Sequence, residues 1–465
     1  MNIKQLRQTI LDRAIRGQLV SQDPTDEPAS VLLERIRAEK EQLIKDKKLK
    51  REKRDNQPIE EVPFEIPEGW VWCRLGEIGE IIGGGTPSTS VEEYWNGEIS
   101  WITPADLSNY SNKYIACGKR NITQLGLENS SATLIPKGGI LFSTRAPIGY
   151  VAIADKPLST NQGFKNLYPF MDISKEFIYY FLLAEKERIK LFASGTTFQE
   201  LSTSVFSKIL ISLPPLAEQH RIVQKIEQLF ALVDIIEVNK KALEKLIEQA
   251  KSQVLSDAVA GKLTHQDSND EPAEELLKRI GKTTAPDTPY EKMLPKGWTW
   301  CRGNQILNPM ESQKPLGEKF DYIDISSIDN RQNKITEIKT IAVTEAPSRA
   351  SRKVKFGDTL FSMVRPYLRN IAFVDKKYSN CIASTGFYVC TPNKTLFPKY
   401  LFYLMMSDYV VQGLNKYMKG DNSPSINNED ITNFIFPLPP IAEQHRIIQK
   451  IESYFSFFDM IENNL

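Results

Sequence analysis

Leu213-Pro-Pro-Leu-Ala-Glu-Gln-His-Arg-Ile-Val-Gln-Lys-Ile-Glu227 occurs a second time as Leu438-Pro-Pro-Ile-Ala-Glu-Gln-His-Arg-Ile-Ile-Gln-Lys-Ile-Glu452, 225 positions later. A repeat this long decides the architecture before any single element is assigned. Two further landmarks recur in the same order. Pro67-Glu-Gly-Trp-Val-Trp-Cys-Arg74 returns as Pro295-Lys-Gly-Trp-Thr-Trp-Cys-Arg302. Gly17-Gln-Leu-Val-Ser-Gln-Asp23 with Asp26-Glu-Pro-Ala29 returns as Gly261-Lys-Leu-Thr-His-Gln-Asp267 with Asp270-Glu-Pro-Ala273. The chain is therefore two copies of one plan: a helix, a linker, a large mixed domain, then Pro-Pro and a helix again.

From Ile222 the positions Ile226, Leu229, Val233, Ile236, Lys240, Leu243, Ile247, Ala250 and Val254 advance in steps of four and three, a heptad seam with one polar interruption at Lys240. Pro214-Pro215 stop the preceding strand, Glu218 suits the positive end of a helix dipole, and Gly261 ends the helix. Ala217 to Gly261 is 45 residues, a rod of roughly 65–70 Å at about 1.5 Å per residue. The second copy keeps the seam at Ile447, Ile451, Tyr454, Phe458, Ile461 and Leu465, while Ile3, Leu6 and Ile10 match Ile247, Ala250 and Val254. Read this way, the sequence is a circle of two repeats opened inside one of its rods. The predicted fold is α+β: two mixed α/β domains separated by two long antiparallel helices, a coiled-coil-like spacer, in a pseudo-twofold, circular arrangement. The expected boundaries are an N-terminal helix over 1–20 completing the C-terminal rod, a charged helical linker over 21–66, a first domain over 67–212, and a central helix over 213–262. A linker over 263–294, a second domain over 295–437 and a C-terminal helix over 438–465 complete the plan.

Composition excludes several classes. With 41% hydrophobic and 25% charged residues the chain reads as soluble and globular. No apolar run approaches a membrane span, and the first twenty residues are charged throughout, unlike a secretory signal. Five cysteines form no Cys-x-x-Cys pair and are expected as buried free thiols in a reducing cytoplasm. The net charge of +1 is unevenly placed: 295–437 carries 19 basic and 13 acidic residues, whereas 213–294 carries 11 and 14. A locally basic domain is compatible with DNA, and equally with a solvated basic surface.

The two domains share a skeleton and differ in their loops. Lys137-Gly-Gly-Ile-Leu-Phe-Ser143 parallels Lys355-Phe-Gly-Asp-Thr-Leu-Phe-Ser362, and Phe177-Ile-Tyr-Tyr-Phe-Leu-Leu183, in a helix expected over Lys175–Ser194, parallels Tyr400-Leu-Phe-Tyr-Leu404. Among the loops, Gly84, Gly85, Thr86 and Ser88 would bring backbone N–H groups to phosphates, or form a plain turn. Arg145 follows a strand, and Arg365, Tyr367 and Arg369 are placed at the matching position; arginine reads guanine and grips phosphate alike. Arg349, Arg352 and Lys353 lie in a basic run that a solvated face would also explain. Asn161 and Gln162 have the amide geometry for adenine, though loop amides often hold turns, and Thr103 and Lys165 join them as candidates. Asn422 and Ser425 lie in Lys419–Ile426, which parallels Ser194–Leu201 before each exit strand.

Catalytic chemistry has no carrier here. The three histidines sit at two copies of one rod position, His220 and His445, and in a linker, His265. No His-Glu-x-x-His or nucleophile elbow occurs. Gly281-Lys-Thr-Thr resembles the tail of a phosphate loop, but the glycine it needs five residues earlier is Leu276. An adenine methyltransferase places Asn or Asp before Pro-Pro to accept the target amine, whereas both pairs here follow leucine, Leu213 and Leu438.

The duplicated LPPLAEQHRIVQKIEQLF (Leu213 to Phe230), the Gly-Trp-x-Trp-Cys-Arg domain entrance, GGTPSTS with EYWNGEISWITPADL (Gly84 to Leu107) and STRAPIGYVAIA (Ser143 to Ala154) together resemble the specificity subunits of type I restriction–modification systems, over essentially the whole chain. The resemblance implies a non-catalytic subunit that binds a bipartite double-stranded DNA target and docks two methyltransferase subunits and, through them, restriction subunits. S-adenosylmethionine, ATP and magnesium would then belong to the partners, with no cofactor or metal in this chain. Glu218, Gln219, His220 and Arg221, with Glu443, Gln444, His445 and Arg446, are the candidate partner contacts. A self-contained methyltransferase–nuclease and a scaffold that does not read DNA are the competing readings.

Overall fold

The computed structural model describes residues 2–49, 59–145, 147–170, 173–194, 200–284 and 294–465. It divides into two compact units, Met1–Val238 and Asn239–Leu465. The dividing line falls inside one continuous helix, Leu216–Val259, of 44 residues, about 66 Å long at 1.5 Å per residue.

In the first unit the helix Ile3–Ile15 runs antiparallel to the start of this rod. Arg7 pairs with Asp234 and lies 5.1 Å over the Phe230 ring, while the Ser212 hydroxyl donates to the Ile15 carbonyl at 2.7 Å. In the second unit the helix Ile441–Asn463 runs antiparallel to the rod's later half. Lys251 reaches Asp459 at 2.8 Å and Glu462 at 2.9 Å, and Lys240 donates to the Leu465 carbonyl at 3.1 Å. Arg7 and Lys251 are one repeat position, as are Asp234 and Asp459, so one contact is made twice. The seam is buried at Ile222, Ile226, Val233 and Ile247, and again at Ile447 and Ile451. Truncating any of these isoleucines would cost about 2–5 kcal/mol. The seam, expected to break only at Lys240, is already open at Ile236, which is 39% exposed.

Both leading helix segments end on a glycine in the left-handed region, Gly17 at φ +69° and Gly261 at φ +67°. The following N–H closes the turn onto the carbonyl five residues back, Gln18 onto Arg13 and Lys262 onto Asp257. A Cβ at either glycine would stand 2.3 Å or 2.2 Å from the ring of Pro67 or Pro295. Glycine is thus required twice over, by conformation and by the proline packed on it.

Each domain is entered and left through one two-stranded ribbon. Val71–Arg74 pairs antiparallel with Leu210–Leu213, and Thr299–Arg302 with Ile435–Leu438. Inside the first domain a five-stranded sheet holds Gly79–Gly83, Lys165–Pro169, Ile140–Phe142, Val151–Ala154 and Tyr114–Ile115, in that order, beside a three-stranded sheet centred on Trp95–Ile102. The second domain repeats the central order with Leu307–Asn308, Phe387–Pro392, Thr359–Ser362 and Ile371–Phe373. Its other sheet, centred on Lys319–Ile323 and Ile382–Ser384, gains a strand, Ala350–Lys353, that carries Arg352 and Lys353. The helices Lys175–Lys190 and Pro398–Met406 cover the sheets. The first stops four residues short of the predicted Ser194. Four cysteines are buried as free thiols, whereas Cys117 is exposed, contrary to expectation. Among the described residues no helix is long and apolar enough to cross a membrane.

Candidate nucleic-acid interface

The repeated Ala-Glu-Gln-His-Arg forms a buried joint where rod, linker and domain meet. Glu218 accepts from the Trp70 indole at 2.9 Å and from the Gln22 amide at 3.0 Å. Glu443 accepts from Trp298 at 2.8 Å, Gln266 at 3.0 Å and the Thr264 hydroxyl at 3.0 Å. Burial pushes the Glu218 carboxyl above the ordinary range, opposed by the Trp70 and Gln22 hydrogen bonds and by Arg221. Gln219 accepts from the backbone N–H of Ser174, the N-cap of the domain helix, at 2.9 Å; Gln444 does the same for Phe397, N-cap of its counterpart, at 2.9 Å. Arg221 forks onto Asp26, as Arg446 does onto Asp270. Six of the eight candidate partner contacts are therefore engaged within their own units. His220 and His445 remain exposed, His445 against the Phe397 ring.

In the first domain the sequence candidates converge. Thr103, Arg145, Asn161 and Gln162 line one cleft of about 540 Å³ with Ser108 and Tyr150. The Asn161 side chain accepts from Gly163 N–H at 3.0 Å, fixing the turn that presents Gln162, and Thr86 donates to Gln162. Thr103 caps a short turn by bonding Asp106 at 2.6 Å. Arg145 is held at 2.8 Å by Glu200, which also lies 3.6 Å from Lys165. Gly84 and Gly85 lie beneath the cleft. Their N–H groups point at the carbonyls of Phe164 and Thr160, and a Cβ on either would stand 1.9 Å or 2.2 Å from backbone of Asn161 or Ser131. Close packing beneath the cleft requires glycine at both positions, in keeping with the plain-turn alternative. Ser88 lies outside it, bonded to Ser90 at 2.8 Å.

The second domain is built differently at the same place. Ser143 N–H donates to Tyr150 O, and Ser362 N–H to Asn370 O; Leu201 N–H donates to Thr144 O, and Ile426 N–H to Met363 O. Arg145 bridges Glu200, and Val364 bridges Ser425. These pairings put Val364, not Arg365, opposite Arg145, and make the second loop one residue longer, 363–369 against 144–149. Arg365 and Arg369 are both left-handed, at φ 48° and 54°, around the short turn Pro366–Leu368. The Arg365 guanidinium donates to the Asn422 carbonyl at 2.8 Å; that of Arg369 donates to the Met406 carbonyl at 2.8 Å and to Asp408. Both brace the turn from below. Ser425 lies in the bridge, its N–H on the Lys419 carbonyl at 3.0 Å. In the basic run, Lys353 at 2.8 Å and Lys355 share Glu311, whose carboxyl they hold down to about 2. Arg349 is exposed, and the Arg352 Nε is buried with no partner among the described residues. The stretch 195–199, proposed as a counterpart of the loop at Lys419, lies outside the described residues.

Two domains of one skeleton, on one repeated joint, with different surface loops, form the pattern against which known proteins can be compared. The type I restriction modification DNA specificity domain matches residues 67–245 and 308–465. The chain belongs to that family. Its relatives include the type I restriction enzyme MjaIX specificity subunit of Methanocaldococcus jannaschii, 36% identical over 57% of each chain, so the match spans little more than half of that relative's length. The type I restriction enzyme EcoEI specificity subunit of Escherichia coli is 27% identical over 100% of this chain and 91% of its own. A solved chain from a study of complex assembly and conformational transition in a type I R-M system shares the fold, with a TM-score of 0.59 and 20% identity over 86% of this chain and 94% of that one. Within the specificity-domain frame, Glu200, Ser108, Tyr150 and the braces Asn422 and Asp408 are the residues that sequence reasoning missed or misassigned. The isolated bridges at Glu200 and Ser425 involve partners more than fifty residues away, which no local pattern reveals. Among the described residues no cluster of three or more His, Cys, Asp or Glu could hold a metal.

Proposed function

We propose that this chain is the DNA-reading subunit of a type I restriction–modification complex, without a catalytic centre of its own, in which each domain reads one half of a two-part duplex target. One observation carries this reading: the joint is copied nearly bond for bond, with one added hydroxyl donor on Glu443, while the loops above it are not. Copied foundations with divergent faces suit two readers of different half-sites; a scaffold for two identical partners has no use for the divergence. Phosphate contacts would position the domains and the side chains of the first domain's cleft would supply base readout.

Partner docking falls to the rods. Leu232 and Ile235 in the first unit and their counterparts Phe457 and Met460 in the second are each more than half exposed. The same apolar pair at the same repeat position suits two copies of one methyltransferase subunit, through which restriction subunits would join. S-adenosylmethionine, ATP and magnesium belong to those partners, and the complex works in the cytoplasm.

The test is methylome sequencing of a host carrying this chain with its methyltransferase, before and after residues 67–212 are exchanged for those of a relative. A two-part motif in which the exchange alters one half and leaves the other intact is expected. An unaltered motif, or alteration of both halves, overturns the reading.

A further inference from the structure

We infer that the turn Pro366–Leu368 of the second domain is an apolar wedge that presses Tyr367 into the base stack of its DNA half-site. The inference rests on the DNA-reading assignment and adds to it a mode of contact that the first domain lacks.

Tyr367 and Leu368 are 47% and 41% exposed, side by side, in a domain whose charge is locally basic. The polar groups around them face inward. Arg365 N–H donates to the Pro424 carbonyl at 2.8 Å and its guanidinium to the Asn422 carbonyl. Asn330 donates to the Leu368 carbonyl at 2.8 Å, and Asn333 to those of Arg369 and Ile371 at 3.1 and 3.2 Å. Arg369 is tied to Met406 and Asp408. Three separate segments thus clamp five residues whose outward side chains are a phenol and an isobutyl group.

The clamp holds an unfavourable backbone. Two non-glycine residues in the left-handed region are strained and persist only where surrounding structure imposes them. A connector of this length needs no such strain: the matching turn of the first domain links the same two strand ends with one residue fewer, and none of its described non-glycine residues has positive φ. What the strain achieves is projection. It leaves the aromatic ring half exposed above its arginine supports, of which Arg369 is paired with Asp408 and Arg365 rests on the Asn422 carbonyl. Apolar side chains so placed enter between base pairs, unstack a step and bend the duplex, with the unstacking offset by the added contact. Tyrosine has a flat face that stacks on any base, so the contact tolerates sequence and favours deformable steps.

The experiment uses the complex of the full-length chain with its methyltransferase subunits and a duplex bearing the mapped target. Tyr367→Ala should weaken binding about 10- to 100-fold, as expected for loss of one base–aromatic stack. The slope of log K against log salt should stay the same, because no phosphate contact is removed. Tyr367→Phe and Tyr367→Trp should restore binding. 2-Aminopurine placed along the half-site of the second domain should brighten at one step with the native chain and stay dark with Tyr367→Ala. The wedge is refuted if Tyr367→Ala binds with native affinity, if its salt slope drops, or if it fails to assemble with methyltransferase, which would make the turn a protein contact. Failure of the native complex to prefer its target over other duplexes would instead refute the underlying assignment.

Discussion

Beyond the strand that ends at Ser143 the first domain opens a cleft; beyond the same strand in the second domain, at Ser362, a turn stands out. The two loops begin and end on equivalent hydrogen bonds, differ by one residue, and are joined to the exit segment by equivalent bridges. Below them the two units are nearly interchangeable, down to the indole, amide and carboxylate of the joint. Variation is confined to places where the framework tolerates it. A loop pinned at both ends by main-chain bonds can change length and chemistry without disturbing what lies beneath. The comparison can be broken at the joint, in the sheet or at the loop, in decreasing order of expected effect.

The joint is where the copies should behave most alike, and where a small difference should be measurable. Glu443→Ala removes the acceptor of Trp298, Gln266 and Thr264, whereas Glu218→Ala removes that of Trp70 and Gln22; the two glutamine amides keep backbone carbonyls, at Gly261 and Gly17. The indole is the one buried donor in each set, at about 1–3 kcal/mol when stranded, and the rest are partly or fully exposed, so the expected losses are roughly 2–4 and 1–3 kcal/mol. Urea unfolding followed by tryptophan emission measures both. A negligible loss in either variant would mean that the joint is decoration on packing done elsewhere.

The sheet contains a difference of a single carboxylate. Gly138 and Gly357, at φ +90° and +92°, are equivalent, so the buried Asp358 occupies the place of Gly139. It accepts from Lys355 N–H at 2.7 Å, yet burial raises its carboxyl to about 6 from 3.8. The folded state therefore holds the proton more tightly than the unfolded one. The group is without cost below about pH 4, and its penalty develops as the pH rises to about 6, reaching roughly 2–3 kcal/mol above it. Asp358→Asn removes the titration and keeps the acceptor. Relative to that variant, the native chain should lose stability between pH 4 and 6 in urea melts; parallel pH profiles would show that Asp358 does not carry the shift. The first domain offers no carboxylate at this position to produce such an effect.

The architecture was legible because repetition and heptad spacing are properties of the chain itself. The joint was only half legible. A glutamate and a glutamine in the first turn of an amphipathic helix read as solvent-facing, and the groups that bury Glu218 lie 148 and 196 residues away. Thr103, Arg145, Asn161 and Gln162, candidates from separate loops, share one cleft because polar loop residues flanking strand ends are carried to one edge of a sheet. The bracing by Arg365 and Arg369 is not legible, because arginine that supports a turn and arginine that grips DNA have the same sequence signature. The one-residue slip between Arg145 and Val364 followed from a loop-length difference that only main-chain pairing reveals.

The smallest expected effect lies at Glu200 and Ser425, which face the same bridge in the two domains. Glu200 lies within reach of Arg145 and Lys165 and offsets one of their two charges at the mouth of the cleft. Ser425 offsets nothing. Exchanging them tests whether the faces differ in electrostatics as well as shape. Glu200→Ser should strengthen binding of target and unrelated duplex alike by about two- to fivefold at low salt and steepen the salt slope by up to about one ion, since an added free cation releases counterions without reading bases. Ser425→Glu should weaken both by a similar factor and flatten the slope. If Glu200→Ser instead weakens binding to the target alone, the carboxylate is itself a base reader, accepting from a cytosine amine, and the first domain's cleft reads with an acid as well as with its amides and arginine.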